Sequence, residues 1–235
     1  MAISSFSKRA LAVAVMAAGL SACGSDDEKI VVVEPDTLEY EVTIYNDTSA
    51  QPLSPAVVGI HSATISLWSL GTSASVPLET MAEGGDASQL ADMFTDDNVA
   101  VTGAGAIGPG AYETLMISAS ERSDMQLSLA TMMVNTNDAF TGLNGIDIGG
   151  LMVGDSMTYS LPAYDAGTEQ NSEAVGTIPG PADGGEGFNA ARDDVMNKVS
   201  RHPGLVTQAD DPASVLLPDH RLSGTVGRVV ITRTN

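Results

Sequence analysis

Cysteine is almost absent. The 235 residues hold one, Cys23, so no intramolecular disulfide can form. Basic residues are scarce as well, 10 Lys+Arg against 30 Asp+Glu, which excludes a chain that seeks nucleic acid or an anionic lipid face and favours cations as partners. Aromatic residues make up 4%, too few to outline a sugar-stacking platform, and the one tryptophan, Trp68, lies within a strand-like pattern. The apolar stretch LAVAVMAAGL (11–20) is half the roughly 20 residues needed to span a bilayer. No H-x-x-x-H or H-E-x-x-H places His61, His202 or His220 together for zinc, and there is no G-x-S-x-G nucleophile elbow. No internal repeat is present.

The amino-terminal residues carry the clearest address. Lys8 and Arg9 precede the short apolar run, and Leu20-Ser21-Ala22-Cys23 follows it. A basic region, an apolar core and small residues before a cleavage point describe a signal peptide over 1–22. The cysteine at that point reads as a bacterial lipobox, with Cys23 acylated after cleavage. Gly24, not Asp, follows it, so the usual inner-membrane retention signal is missing and an outer-membrane lipoprotein of a Gram-negative bacterium is expected. Each buried CH2 of such an anchor contributes roughly 0.8 kcal/mol. Cleavage would leave 8 Lys+Arg against 30 Asp+Glu, a net charge near −22. Residues 23–38, including GSDDEKIVVVEPD, read as a lipidated tether, and 39–235 as one domain.

Strand patterns dominate that domain. EYEVTIYN (39–46) alternates, with Tyr40, Val42 and Ile44 on one face. VVGIHSATISLW (57–68), TLMISAS (114–120), MQLSLATMMV (125–134), DSMTYSLPAY (155–164) and VGRVVITR (226–233) continue the theme between Gly, Pro, Asn and Asp clusters. The expected fold class is all-β, an antiparallel β-sandwich with one or two short helices in the connections. The helix candidates are 78–94, broken at Gly84-Gly85, and 189–202, with Asn189 as cap and Pro203-Gly204 as stop.

Two motifs invite stronger readings. Gly103, Gly105 and Gly108 spell G-x-G-x-x-G within VAVTGAGAIGPG (99–110). A dinucleotide site needs a helix there to meet the pyrophosphate, but Pro109-Gly110 and a strand pattern follow, so a wide turn between strands is expected. Gly154-Asp155-Ser156-Met157 is similar to an esterase serine block, yet it too enters a strand pattern, and Asp219-His220 has the wrong spacing for its partner.

Hard oxygen ligands gather in VNTNDAFTGLNGID (134–147) and AYDAGTEQNSE (163–173). The first supplies Asn135, Asn137, Asp138, Asn144 and Asp147, the second Asp165, Thr168, Glu169, Asn171 and Glu173. Calcium takes six to eight such oxygens. Neither stretch has EF-hand spacing, and Asn and Asp are also good turn formers, so a metal site and plain turns both stand on spacing alone.

Several ordered blocks resemble the spondin N-terminal domain family. LSPAVVGIHSATISLWSLGTSASVPLETMAEGGDASQL (53–90) has a His after Ser-Pro, then a Gly, an Ala-Ser pair and an Ala-Glu-x-Gly. MMVNTNDAFTGLN (132–144) is similar to the segment that in animal spondins reads Pro-Ser-Pro-Asp-Trp-Phe. AYDAGTE (163–169) matches an Asp-Ala-Gly-Thr-acid block, and HRLSGTVGRVVITR (220–233) resembles the closing strand. The resemblance spans about 39–233 and implies a C2-like sandwich with calcium bound at the loops of one end. It implies Asp138, Asp165 and Glu169 as ligands, with Asn137 and Thr168 as neighbouring oxygens. Asn135 and Asn137 stand where the animal pattern has prolines, and Ala139 where it has tryptophan.

The function expected from all this is a cell-envelope lipoprotein whose calcium-binding domain serves binding or adhesion, without catalysis. Its expected partners are the membrane, through Cys23, and a glycan or an envelope or extracellular protein, but not nucleic acid. Two other classes stay open: a hydrolase, metal-independent or using His61 or His220, and a purely structural envelope protein.

Overall fold

The computed structural model describes residues 36–191 and 196–235. The expected signal peptide, Cys23 and the tether before Asp36 lie outside the described residues. Pro35–Asn235 form one compact unit, and the first strand, β1 (Thr37–Asn46), begins two residues before the boundary expected at 39.

Among the described residues nine further strands follow: β2 (Val57–His61), β3 (Val99–Thr102), β4 (Tyr112–Ser120), β5 (Gln126–Met132), β6 (Ala139–Asp147), β7 (Ser156–Leu161), β8 (Ala163–Asp165), β9 (Ser200–Arg201) and β10 (Gly227–Arg233). They form a four-stranded sheet in the order β4-β1-β10-β7 and a six-stranded sheet in the order β3-β2-β5-β6-β8-β9. All pairings are antiparallel. The molecule is the all-β sandwich that the alternating patterns predict.

Period-two alternation explains which side chains meet between the sheets. Tyr40, Val42 and Ile44 of β1 point inward with Val229 and Ile231 of β10, against Val58 and Ile60 of β2 and Leu127 and Leu129 of β5. Burying each large apolar side chain contributes about 1.5–3 kcal/mol. The six-stranded sheet is also covered on its outer face by helices α1 (Val76–Gly84) and α2 (Ser88–Ala91). There Val57, Ala130, Met132 and Phe140 pack on Leu78, Met81 and Leu90. A strand buried on both faces has no polar side to alternate, so all five residues of β2 are buried. Gly59 allows this, because a Cβ there would fall inside the Phe94 ring.

Helix α1 starts and stops for local reasons. The Ser75 hydroxyl accepts the Leu78 N–H, Pro77 sits in the first turn, and Gly85 takes the left-handed conformation (φ 72°) while its N–H returns to the Met81 carbonyl.

Three expectations need correction. The helix expected over 189–202 is not formed at its carboxy-terminal part: Ser200–Arg201 is strand β9, paired with Tyr164 and Asp165. The Val199 N–H donates to the Thr72 carbonyl and its own carbonyl accepts from Gly71, so lateral pairing replaces helical bonds. Residues 192–195 of that stretch lie outside the described residues. The strand expected over 57–68 ends at His61. Residues 139–147, expected as loop, form β6. Gly142 is there for closeness: a Cβ would collide with the Leu129 carbonyl and crowd Trp68. Asn144 holds the 66–68 segment by accepting from Leu67 N–H and donating to the Ser66 hydroxyl and the Trp68 carbonyl.

The two decoy motifs end as expected. Residues 103–111 connect β3 to β4, with Gly103 N–H on the Ala56 carbonyl and Ala104 N–H on Glu113 Oε1. Gly154 (φ 89°) turns the chain into β7.

Candidate functional site

Strand pairing brings the two acidic stretches together. Ala139 of β6 is opposite Asp165 of β8, so Asp138 is carried to the loop that follows β8. The loop before β6 is closed on itself: Thr136 Oγ1 donates to the Met133 carbonyl at 2.6 Å and accepts from Ala139 N–H at 3.0 Å. Asn135 fixes the outer side of this loop, donating to the Ala50 carbonyl and accepting from Ala182 N–H.

Two acceptors then weld the loops. Asp138 Oδ2 accepts from Thr168 N–H (2.8 Å), Glu169 N–H (3.1 Å) and the Thr168 hydroxyl (3.3 Å). Asn137 Oδ1 accepts from Glu173 N–H (2.9 Å) and Ser172 N–H (3.1 Å), while its amide donates to Glu169 Oε2 (3.3 Å) and to Thr177. Asp165 turns its own loop: Oδ1 accepts from Gly167 N–H at 2.7 Å and Oδ2 from the Asn171 amide. Four of the five expected site residues, Asn137, Asp138, Thr168 and Glu169, thus share one hydrogen-bonded network, and Asp165 lies beside it through its backbone pairing with Ala139. Asn144 and Asp147 do not join it. Asn144 faces the 66–68 segment, and Asp147, at the far end of β6, accepts from Gly149 N–H.

The electrostatics of the cluster are costly. Asp138 is fully buried. Desolvation, then the charge of Asp165, push its pKa up to about 7, against the opposing N–H bonds from Glu169 and Thr168. Glu169 is pushed up to about 8 by desolvation and then by Glu83. Glu173, also fully buried, reaches about 7 by desolvation, with Asp138 and Asp165 adding to it and the Val206 N–H opposing. Asp138 Oδ1 and Glu173 Oε1 are buried without a hydrogen-bond partner.

Two of these contributors escape sequence reasoning as site residues. Glu83, at the end of α1, is buried and accepts from Asn189 N–H, and its charge raises both Asp138 and Glu169. It is the acid of the Ala-Glu-x-Gly block, so the signal is present in the sequence as a motif. Glu173 is visible only as one loop acid among several, because its burial depends on the 205–206 segment folding over it.

The donor set is all hard oxygen, which fits calcium in kind, and the unpartnered Asp138 Oδ1 and the free Oε1 of Glu169 are the atoms that could take it. The cage is not preassembled: among the described residues no three His, Cys, Asp or Glu side chains are placed to hold one metal ion.

The histidines do other work. His61 is buried, with Nδ1 2.8 Å from the Ser62 carbonyl and Nε2 2.8 Å from Ser128 Oγ. This is a Ser–His pair in reach of each other, with both side chains buried. His202 Nε2 meets Asn171 Oδ1 at 3.2 Å, behind the Asp165 loop. His220 caps a 3-10 turn over Pro218–His220. No helix among the described residues is long and apolar enough to cross a membrane.

Compared with known proteins, residues 45–176 match the family model Spondin_N. That span runs from the end of β1 past Glu173 and contains Glu83, Asn137, Asp138, Asp165, Thr168, Glu169 and Glu173; Thr177 and the closing strand β10 lie beyond it. No curated protein matches the chain.

Proposed function

The chain belongs to the Spondin_N family, and from that premise we propose that it is a non-catalytic binding module of the cell envelope, tethered through a lipid on Cys23. In this reading the loops 133–138 and 166–177 form its recognition end, and a hard dication such as calcium tunes that end. Asp138, through Oδ1, and Glu169 would hold the ion, with Asp165, Asn137 and Thr168 as the surrounding oxygens. When bound, the ion supplies positive charge that offsets carboxylate repulsion. The chain's own residues already fix the loop geometry, Asp138 Oδ2 and Asn137 Oδ1 each spanning from one loop to the other.

The observation that carries the reading is the gathering of Asp138, Glu169 and Glu173, all desolvated and raised, at one end of a sandwich whose middle is apolar. Fold stability alone gives no reason to concentrate carboxylates that repel one another. The test is thermal denaturation of the full-length protein against calcium concentration at neutral pH. A melting temperature that climbs with calcium supports the reading, and one that stays flat in the wild type removes the ion from it. Lipidation is checked separately, by mass spectrometry of the membrane-extracted protein and of Cys23→Ala.

A further inference from the structure

Beside the cluster lies a cavity of about 390 Å³, walled by Asp165, Glu169, Gln170, Met196, Arg201 and Pro203 among others. That volume lies within the range of small-molecule pockets. Its charged groups are unusual in how they are used. The Arg201 guanidinium stands 4.6 Å from the centroid of the Tyr164 ring, and Tyr164 is stacked on Phe140, itself edge-on to Trp68. The guanidinium is therefore positioned by an aromatic stack. Among the described residues it meets no carboxylate at ion-pair distance, although acids outnumber bases threefold.

Glu169, which also lines this cavity, uses one oxygen, Oε2, on the Asn137 amide and leaves Oε1 free. Asp165 adds negative charge but has both oxygens occupied. The cavity thus offers one unspent cation and one unspent carboxylate oxygen, with Met196 and Pro203 supplying apolar wall. An anion alone would face Glu169 and Asp165. A cation alone would face Arg201. A small ligand carrying both charges satisfies both groups.

We propose that this cavity binds a free α-amino acid, its ammonium on Glu169 Oε1, its carboxylate on the Arg201 guanidinium and its side chain along Met196 and Pro203. The proposal rests on reading the domain as a binding module; it does not require the metal, which would compete with the ammonium for Glu169 Oε1.

The test is a thermal-shift screen of the full-length protein with the twenty free amino acids, in EDTA and again in calcium. Calorimetry then compares the best hit with its methyl ester, which lacks the carboxylate, and its N-acetyl form, which lacks the ammonium. Both derivatives are expected to bind at least tenfold more weakly. Arg201→Gln should bring acid and ester to the same affinity, and Glu169→Gln should do so for the free and acetylated amine. The proposal is overturned if no amino acid shifts the melting temperature, or if ester and acetyl forms bind as well as the parent. Amino-acid binding in EDTA with no response to calcium would sink the metal reading alone, and a calcium response without amino-acid binding would sink only this one.

Discussion

Leu129 in the sandwich and Asp138 in the loop end are equally shut off from water, both 0% exposed, yet they occupy that position on opposite terms. Between the sheets, burial is favourable in itself: aliphatic side chains leave water and nothing polar is stranded. At the loop end the buried groups are carboxylates held by backbone N–H donors, and two of their oxygens have no partner. The first region stabilises the molecule. The second draws on that stability to keep an acidic, partly unsatisfied cluster in one geometry, as binding sites commonly do.

The largest effect that sharpens the contrast is a cavity in the sandwich. Leu129→Ala should lower unfolding free energy by about 2–5 kcal/mol, read by denaturant titration, with little change in its pH dependence. Second is the loop clamp. Asn137→Ala strands the Ser172 and Glu173 N–H groups and should cost about 1–3 kcal/mol. A loss as small as that of a surface substitution would mean that the loops are not held together in this way.

Third comes pH, where the two kinds of buried titratable group pull in opposite directions. Asp138, Glu169 and Glu173 have pKa values raised from 3.8 or 4.5 to about 7–8. The folded state therefore holds more protons than the unfolded chain between about pH 4 and 8, and in EDTA their contribution falls as pH rises through that window. Burial lowers the pKa of His61 below 6.5, so its contribution falls as pH drops below that value. Asp138→Asn should flatten the loss on the alkaline side, and His61→Gln the loss on the acid side, in melting curves from pH 5 to 8. If Asp138→Asn leaves the alkaline slope unchanged, the raised carboxylate is not its source. The smallest effect belongs to the far end of β6: Asp147→Asn, at an exposed turn acid, should change stability by no more than about 0.5 kcal/mol.

The same contrast explains what the sequence made legible. Alternation of Tyr40, Val42 and Ile44 gave β1 and its inward face, because one side of that strand is solvated. It failed for β6, where Gly142 and Asn144 look like turn residues. Their roles are set by Leu129, Trp68 and the 66–68 segment, all distant in sequence. The carboxy-terminal part of the expected 189–202 helix yielded to β9 for a like reason, since the partners of Val199 and Arg201 are a turn at 71–72 and strand β8. At the loop end, the acids of recognisable blocks, Asp138, Asp165 and Glu169, could be named in advance. Their use as backbone acceptors could not, nor could the burial of Glu83 and Glu173, which follows from helix α1 and the 205–206 segment closing in.

One measurement bears most directly on the account: the melting temperature of the full-length protein at pH 8, in EDTA and in millimolar calcium, for wild type and Asp138→Asn. Calcium should raise the wild-type value, and the variant in EDTA should already melt higher than the wild type and gain little more. Equal wild-type melting temperatures with and without calcium, together with a variant less stable than wild type in EDTA, would contradict the claim that the loop end is a set of repelling carboxylates awaiting a cation.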